Sequence, residues 1–205
     1  MSGAADKLAV GMTGHRLQRL AGSDLGLLEC RLASLFEAIE TSASAEGKNE
    51  FALLTNFADG ADRIAGRAAL DLGWALDALL PFPRDDFTRD FGNEADLTAF
   101  SAQLDRVRSQ MHLQPARGPG DDGTEGYERA GRAILDRCNM LVSVWDRAPA
   151  RGRGGAAQII AEAIDRKIPV AVIDPRGSMA IEAICPSGTG TAEILRTAVA
   201  SLTST

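Results

Sequence analysis

The most constraining feature of this chain is a series of short apolar runs that lack polar alternation: Leu8-Ala-Val-Gly-Met12, Phe51-Ala-Leu-Leu-Thr55, residues 75–80, Met140-Leu-Val-Ser-Val-Trp145 and Val170-Ala-Val-Ile-Asp174. A strand with one wet face alternates apolar and polar side chains, so runs that do not alternate belong to strands covered on both faces. Helical segments separate them. Over about 24–45 the stripe Leu28, Leu32, Leu35 and Ile39 keeps one face on a core, and a second helix carries Ile64, Ala68 and Leu72 before Gly73 ends it. A third bears Tyr127, Ala130, Ile134 and Cys138, and a fourth runs from the loop Arg147 to Gly154 as far as about Lys167. Strands alternating with helices imply an α/β chain: a Rossmann-like three-layer sandwich with a mostly parallel sheet and helices on both faces. At 205 residues and 45% hydrophobic, one domain over 1–205 is expected.

The remaining stretches are less regular. Pro81-Phe-Pro83 stops the third strand, because two imino acids remove ladder donors. Residues 84–90 alternate charge and aromatic character, which suits a lid. A polar helix over about 95–110 and a short strand over 111–114 lead into 116–123, whose glycines and acids suit a mobile surface loop. The tail after Pro175 predicts a final helix over 191–202.

Charge and composition exclude several classes. A net charge of −6 argues against a surface built to grip long polyanions, so nucleic acid is a disfavoured partner. No apolar run approaches the ~18 residues of a membrane span, and the start Met1-Ser-Gly-Ala-Ala-Asp6 lacks a signal-peptide layout, which points to the cytoplasm. Cys30, Cys138 and Cys185 are scattered and odd in number, and read as small buried hydrophobes. No two histidines share a helix face, no cysteine pair has ligand spacing and no Gly-x-Ser-x-Gly elbow occurs, so neither a metal site nor serine hydrolysis is expected.

Ligands of open parallel sheets collect outside the carboxyl ends of the strands, which directs attention to four loops. In Thr13-Gly14-His15-Arg16, a glycine lets amides approach an anion while a hydroxyl, an imidazole and a guanidinium can donate. His112, beside a short strand, reads only as packing or surface. In Asp59-Gly60-Ala61-Asp62-Arg63, Asp59 is placed to cap the helix; Asp62, three residues on, is placed either in its first turn or against a ribose hydroxyl or base. Pro81-Phe82-Pro83-Arg84 would bring an aromatic face and a guanidinium to the cleft mouth, unless it is merely a stiff strand exit. Arg151-Gly152-Arg153-Gly154-Gly155-Ala156-Ala157, after a strand closed by Asp146, opens a helix with exposed amides and two arginines, a seat for phosphate. It has neither P-loop spacing nor the position of a dinucleotide fingerprint.

Together, Gly11-Met-Thr-Gly-His-Arg16, Asp59-Gly-Ala-Asp-Arg63, Leu80-Pro-Phe-Pro-Arg84, Leu141 to Asp146 and Arg151-Gly-Arg-Gly-Gly155 resemble the SLOG superfamily, in its bacterial nucleotide-sensor-like branch, over roughly residues 7–175. That superfamily, named for DNA-processing and Lonely Guy members, includes phosphoribohydrolases, single-strand DNA loaders and proposed sensors of nucleotide-derived ligands. The resemblance implies a nucleotide-type ligand between the Gly14 loop and the Gly154 helix start, no required cofactor, and a homo-oligomer. Lonely Guy phosphoribohydrolases carry Gly-Gly-x-Gly-Thr-x-x-Glu; the nearest alignment here puts Gly155 at the threonine and Gln158 at the glutamate. Glutamine cannot act as a general base, so cleavage of a nucleoside monophosphate would need Asp59, Asp62, Asp146 or Glu162 instead. A single-strand DNA role is disfavoured for an acidic chain with seven Phe, two Trp and one Tyr. The expectation is a ligand-binding or sensor protein, with an N-glycosidic enzyme using Asp59 or Asp62 as the alternative and a scaffold for partner proteins as the blandest reading.

Overall fold

The computed structural model describes residues 6–149, 154–186 and 190–203. Seven strands form one sheet: β1 (Lys7–Gly14), β2 (Glu50–Thr55), β3 (Ala75–Leu80), β4 (Ser109–His112), β5 (Met140–Val144), β6 (Val170–Ile173) and β7 (Ile181–Ile184). Their order is β4-β3-β2-β1-β5-β6-β7, parallel throughout except for β7, which runs antiparallel to β6. The helices are α1 (Leu25–Ala45), α2 (Ala61–Asp71), α3 (Arg84–Phe87), α4 (Glu94–Leu104), α5 (Thr124–Leu135), α6 (Ala156–Asp165) and α7 (Gly190–Thr203).

The period of two along each buried strand sorts side chains into two cores. Leu8, Val10 and Met12 of β1 join Met140 and Val142 of β5 in a core covered by α1, α2 and α7, with Leu28, Leu32, Leu35 and Ile39 as the α1 stripe. Ala9, Leu141 and Val172 point the other way, onto Ile134 and Leu135 of α5 and Ile159, Ile160 and Ala163 of α6. Both faces are therefore dry, which is why these strands do not alternate, and the architecture is the expected Rossmann-like α/β sandwich. Starting from β1, the chain builds outward through β2, β3 and β4, then crosses to β5. The connections leaving β1 and β5 thus run to opposite sides of the sheet, while the two strands themselves end side by side, with Gly14 opposite Val144.

Several expectations change. The stretch 84–90 is no lid: it is α3 and a 3-10 turn at Thr88–Asp90, and Phe87 is fully buried against Phe91 and Phe100. The loop 116–123 is tied to it by Arg117, whose backbone N and Nε donate to Asp86 Oδ2 at 2.9 and 3.1 Å and whose Nη1 donates to Asp90 at 2.8 Å. Helix α4 ends at Leu104, earlier than expected, because Arg106 and Val107 turn back onto Gln103 and Leu104 and Arg108 N then donates to Leu76 O to begin β4. Cys30 is exposed on the outer side of α1, off the apolar stripe, and Cys138 and Cys185 are partly buried, so the cysteines are not a buried set. His112 is exposed on β4. Among the described residues no helix is long and apolar enough to cross a membrane.

Candidate functional site

A cavity of about 350 Å³ opens beyond the carboxyl ends of β1 and β5, lined by Thr13, Gly14, His15, Arg16, Gln18, Arg19, Asn56, Ala58, Asp62, Thr124, Tyr127, Gly154, Gly155 and Ala156. The loop after β1 and the start of α6 thus face one space. Two close backbone approaches assemble it. Gly60, at φ 93°, lets the loop after β2 dock on the loop after β1, where a Cβ would lie 2.5 Å from His15 O. Around it Ala61 N donates to His15 O at 3.0 Å, and Leu17 N donates to Asp59 Oδ2 at 3.2 Å. Gly154, at φ 78°, sits on α5, where a Cβ would lie 2.7 Å from Glu128 N. Gln158 secures that contact by accepting from Gly154 N (2.8 Å) and donating to Glu128 Oε1 (3.0 Å). Gln158 is thus engaged in positioning the glycine turn.

At the front of α6 Gln158 N already donates to Gly155 O at 3.0 Å, which leaves the Ala156 and Ala157 amides at the positive end of the helix dipole. Gly155 is the N-cap and supplies no side chain to cover them. Across the cavity the Arg16 guanidinium lies 4.8 Å from the centre of the Tyr127 ring, and Tyr127 donates its hydroxyl hydrogen to Asp90. Burial holds the Tyr127 phenol up against the opposing pull of Arg16, with help from Asp90, so it stays a neutral hydroxyl.

Asp62 is 4% exposed in the cavity wall. Burial pushes its pKa up to about 7, although the Thr55 hydroxyl, the Ala58 amide and Arg16 pull the other way. Near neutrality this carboxyl exchanges a proton, as an ordinary aspartate does not. Asn56 directs its amide nitrogen at Leu79 O (3.2 Å) and Ala130 O (3.3 Å), bridging β3 and α5 beneath the cavity.

The other sequence candidates fall elsewhere. Asp59 does not cap α2, whose N-cap is Gly60 with no side-chain bond; it is turned to Leu17 N and to Arg16, 3.5 Å away. Phe82 is 2% exposed, edge-on to Tyr127 and covered by the Arg117 guanidinium at 4.5 Å, so it offers no face to a ligand. Arg84 leans on Phe100 and pairs with Asp105 at 3.7 Å, away from the cleft, because α3 carries it back over the aromatic core. Asp146 stands behind His15, with His15 Nε2 2.8 Å from its Oδ1 and 3.1 Å from its backbone N, and Arg19 Nη2 3.0 Å from both carboxylate oxygens. Burial opposes its ionisation, but the Ala148 amide, His15 and Arg19 outweigh that and hold it at about 2. Glu162 lies on α6 in ion pairs with Arg132 and Arg166. Arg151, Gly152 and Arg153 lie outside the described residues. Sequence reasoning missed Gln18, Arg19 and Thr124 as lining residues, and above all Tyr127, whose helical spacing reads as core.

Among the described residues no group of three or more His, Cys, Asp or Glu is placed to hold a metal. No protein-family model and no curated protein matches this chain. Among solved structures the chain is similar to DNA processing protein A from Streptococcus pneumoniae, at 19% sequence identity and a TM-score of 0.49. The match covers 96% of this chain and 56% of that one, so the chain spans little more than half the length of that protein.

Proposed function

We propose that this protein binds a nucleotide or nucleotide-derived ligand in the cavity between the ends of β1 and β5, as a ligand-binding or sensor protein of the nucleotide-sensor-like branch of the SLOG superfamily. One observation carries this reading: Thr13–Arg16 and Gly154–Ala156 line the same cavity, so the Thr13 hydroxyl and the Arg16 guanidinium share with the start of α6 a space sized for a small molecule. Phosphate oxygens would meet the α6 amides, with the Tyr127 side available to the rest of the ligand. Thermal shift against mononucleotides, cyclic nucleotides and dinucleotides tests it. A ligand at one hundred times its Kd adds ~2.7 kcal/mol to stability, and the absence of any shift at millimolar ligand would overturn the proposal.

A second reading, cleavage of an N-glycosidic bond, is favoured by Asp62 alone, a carboxyl that holds a proton near neutrality inside the cavity. The Asp59, Asp146 and Glu162 carboxylates are each committed to protein partners. Free base released from adenosine or guanosine monophosphate, lost in Asp62→Asn while binding persists, would establish that reading; full turnover in Asp62→Asn would remove it.

A further inference from the structure

Resting on the nucleotide reading of the cavity, we infer that Ser143, which does not itself line that space, is a positioning residue of the site: in the ligand-bound protein its hydroxyl donates to Thr13, and Thr13 in turn donates to an anionic oxygen of the ligand. Ser143 is the penultimate residue of β5 and is fully buried. Among the described residues its Oγ has no hydrogen-bond partner. A hydroxyl removed from water and left unpaired is unfavourable, and folded proteins keep few of them without a use.

The sheet supplies the partner. In register, Ser143 stands between Thr13 of β1 and Val172 of β6. By strand parity its side chain shares the face of Leu141 and Val172, onto which α5 and α6 pack, and Thr13 shares the face of Ala9 in the same core. Val172 has nothing polar to give, so in this row of the sheet the polar neighbour of Ser143 is Thr13. Thr13 is 7% exposed, lines the cavity and, among the described residues, makes no hydrogen bond through its hydroxyl. Neighbouring strands lie ~4.8 Å apart, a span that two facing hydroxyls bridge once each turns about χ1.

The direction of the bond sets what the ligand must present. Each hydroxyl carries one hydrogen and can also accept. If Thr13 donated to Ser143, the Ser143 hydrogen would stay buried and unpaired. The opposite order satisfies it and leaves the Thr13 hydrogen directed at the cavity, where the start of α6 also lies. The ligand atom over Thr13 must therefore be an acceptor. A phosphate oxygen meets that condition and an amino group does not. Two hydroxyls in series that end on an anion also polarise one another, which strengthens both bonds.

A double-mutant cycle of Ser143→Ala and Thr13→Val tests the relay, by calorimetric titration of the full chain with AMP, GMP, cyclic AMP, cyclic GMP and the dinucleotide pApA, alongside melting of the ligand-free proteins. For the nucleotide that binds best, Ser143→Ala should lower affinity about three- to tenfold and Thr13→Val at least about tenfold. The double variant should bind no more weakly than Thr13→Val alone. Without ligand, Ser143→Ala should melt no lower than the wild type, because it removes an unpaired group, so its loss of affinity cannot come from a weakened fold. Thr13→Ala takes the place of Thr13→Val should the valine variant fail to fold. Wild-type affinity in Ser143→Ala, a Ser143→Ala loss that persists in full without the Thr13 hydroxyl, or a lower melting point of ligand-free Ser143→Ala would each overturn the role of Ser143 and leave the nucleotide reading standing. If none of the five nucleotides binds the wild type, the nucleotide reading falls and this inference with it.

Discussion

Replacing Asp62 by Asn should make this protein more stable at alkaline pH and not at acid pH. The carboxyl sits 4% exposed with its pKa raised from 3.8 to about 7, chiefly by burial. A group whose folded pKa lies above its unfolded value costs nothing below the unfolded value. The cost grows as pH climbs through that window and is complete above the folded pKa. At about 1.4 kcal/mol for each tenfold change in proton affinity, the rise corresponds to a penalty on the order of 4 kcal/mol above pH 7. The substituted amide would keep an oxygen able to accept from Thr55 or Ala58 but cannot ionise, so it escapes the penalty while losing some hydrogen-bond quality. A net gain of about 2 kcal/mol at pH 8.5 is expected, or roughly 4–8 °C in Tm for a chain of this size. Melting both proteins from pH 4.5 to 8.5 gives the answer. The difference between them should open between about pH 4 and 7 and be flat on either side; a pH-independent difference, or a wild type that is the more stable at pH 8.5, would refute the reasoning. An aspartate that lowers stability at working pH is the kind of residue a binding or catalytic role retains.

Three other substitutions probe the frame around the site. Arg117→Met leaves Asp86 buried without its main partner and should cost about 3–5 kcal/mol, measured by urea denaturation; a loss under about 1 kcal/mol would mean that Arg89 and water suffice. Gly60→Ala forces a side chain into a positive φ and against His15 O, so it should cost at least about 1–3 kcal/mol and weaken nucleotide binding together with stability, as paired melting and titration would show. Asp146 is held at about 2, so its contribution is present above its ordinary pKa near 3.8 and fades as pH falls toward 2. Asp146→Asn should therefore cost on the order of 2 kcal/mol near pH 6 and progressively less in acid, read from melting curves down to pH 2.5.

The reach of sequence reasoning follows the physics of each segment. Strands β1, β2, β3, β5 and β6 were legible because burial on both faces removes polar alternation, a signal carried by each strand alone. Strand β7 was not: Ile181–Ile184 is partly exposed at a sheet edge, and only pairing with β6 distinguishes it from tail. That Thr13–Arg16 and Gly154–Ala156 would lie at one cavity was legible because both directly follow buried parallel strands, whose carboxyl ends open on the same side of the sheet. Phe82 and Arg84 misled because an aromatic and a guanidinium suit a cleft mouth or a packed corner equally well. The choice was made by Arg117, more than thirty residues away, which covers the Phe82 ring. Tyr127 was hidden for the opposite reason. It obeys the core spacing of α5, and its role in the wall depends on Arg16 and Asp90 from two other loops.

The pairing of arginines with the chain's own acids also bears on how an anion would be held. Among the described residues Arg16 lies beside Asp59, Arg19 on Asp146 and Arg84 near Asp105, so the guanidiniums that follow the strands are largely neutralised before any ligand arrives. With a net charge of −6 the chain gains little from long-range steering of a polyanion. The attraction that remains is short in range: amide hydrogens of α6 in a cleft between protein walls, where fixed dipoles act more strongly than in bulk solvent. The proposed site would discriminate by fit, because an anion too large to reach the amides would meet arginines already matched by acids. A small phosphate-bearing molecule satisfies the geometry proposed for the site, and a net charge of −6 gives a long polyanion no general attraction to the chain.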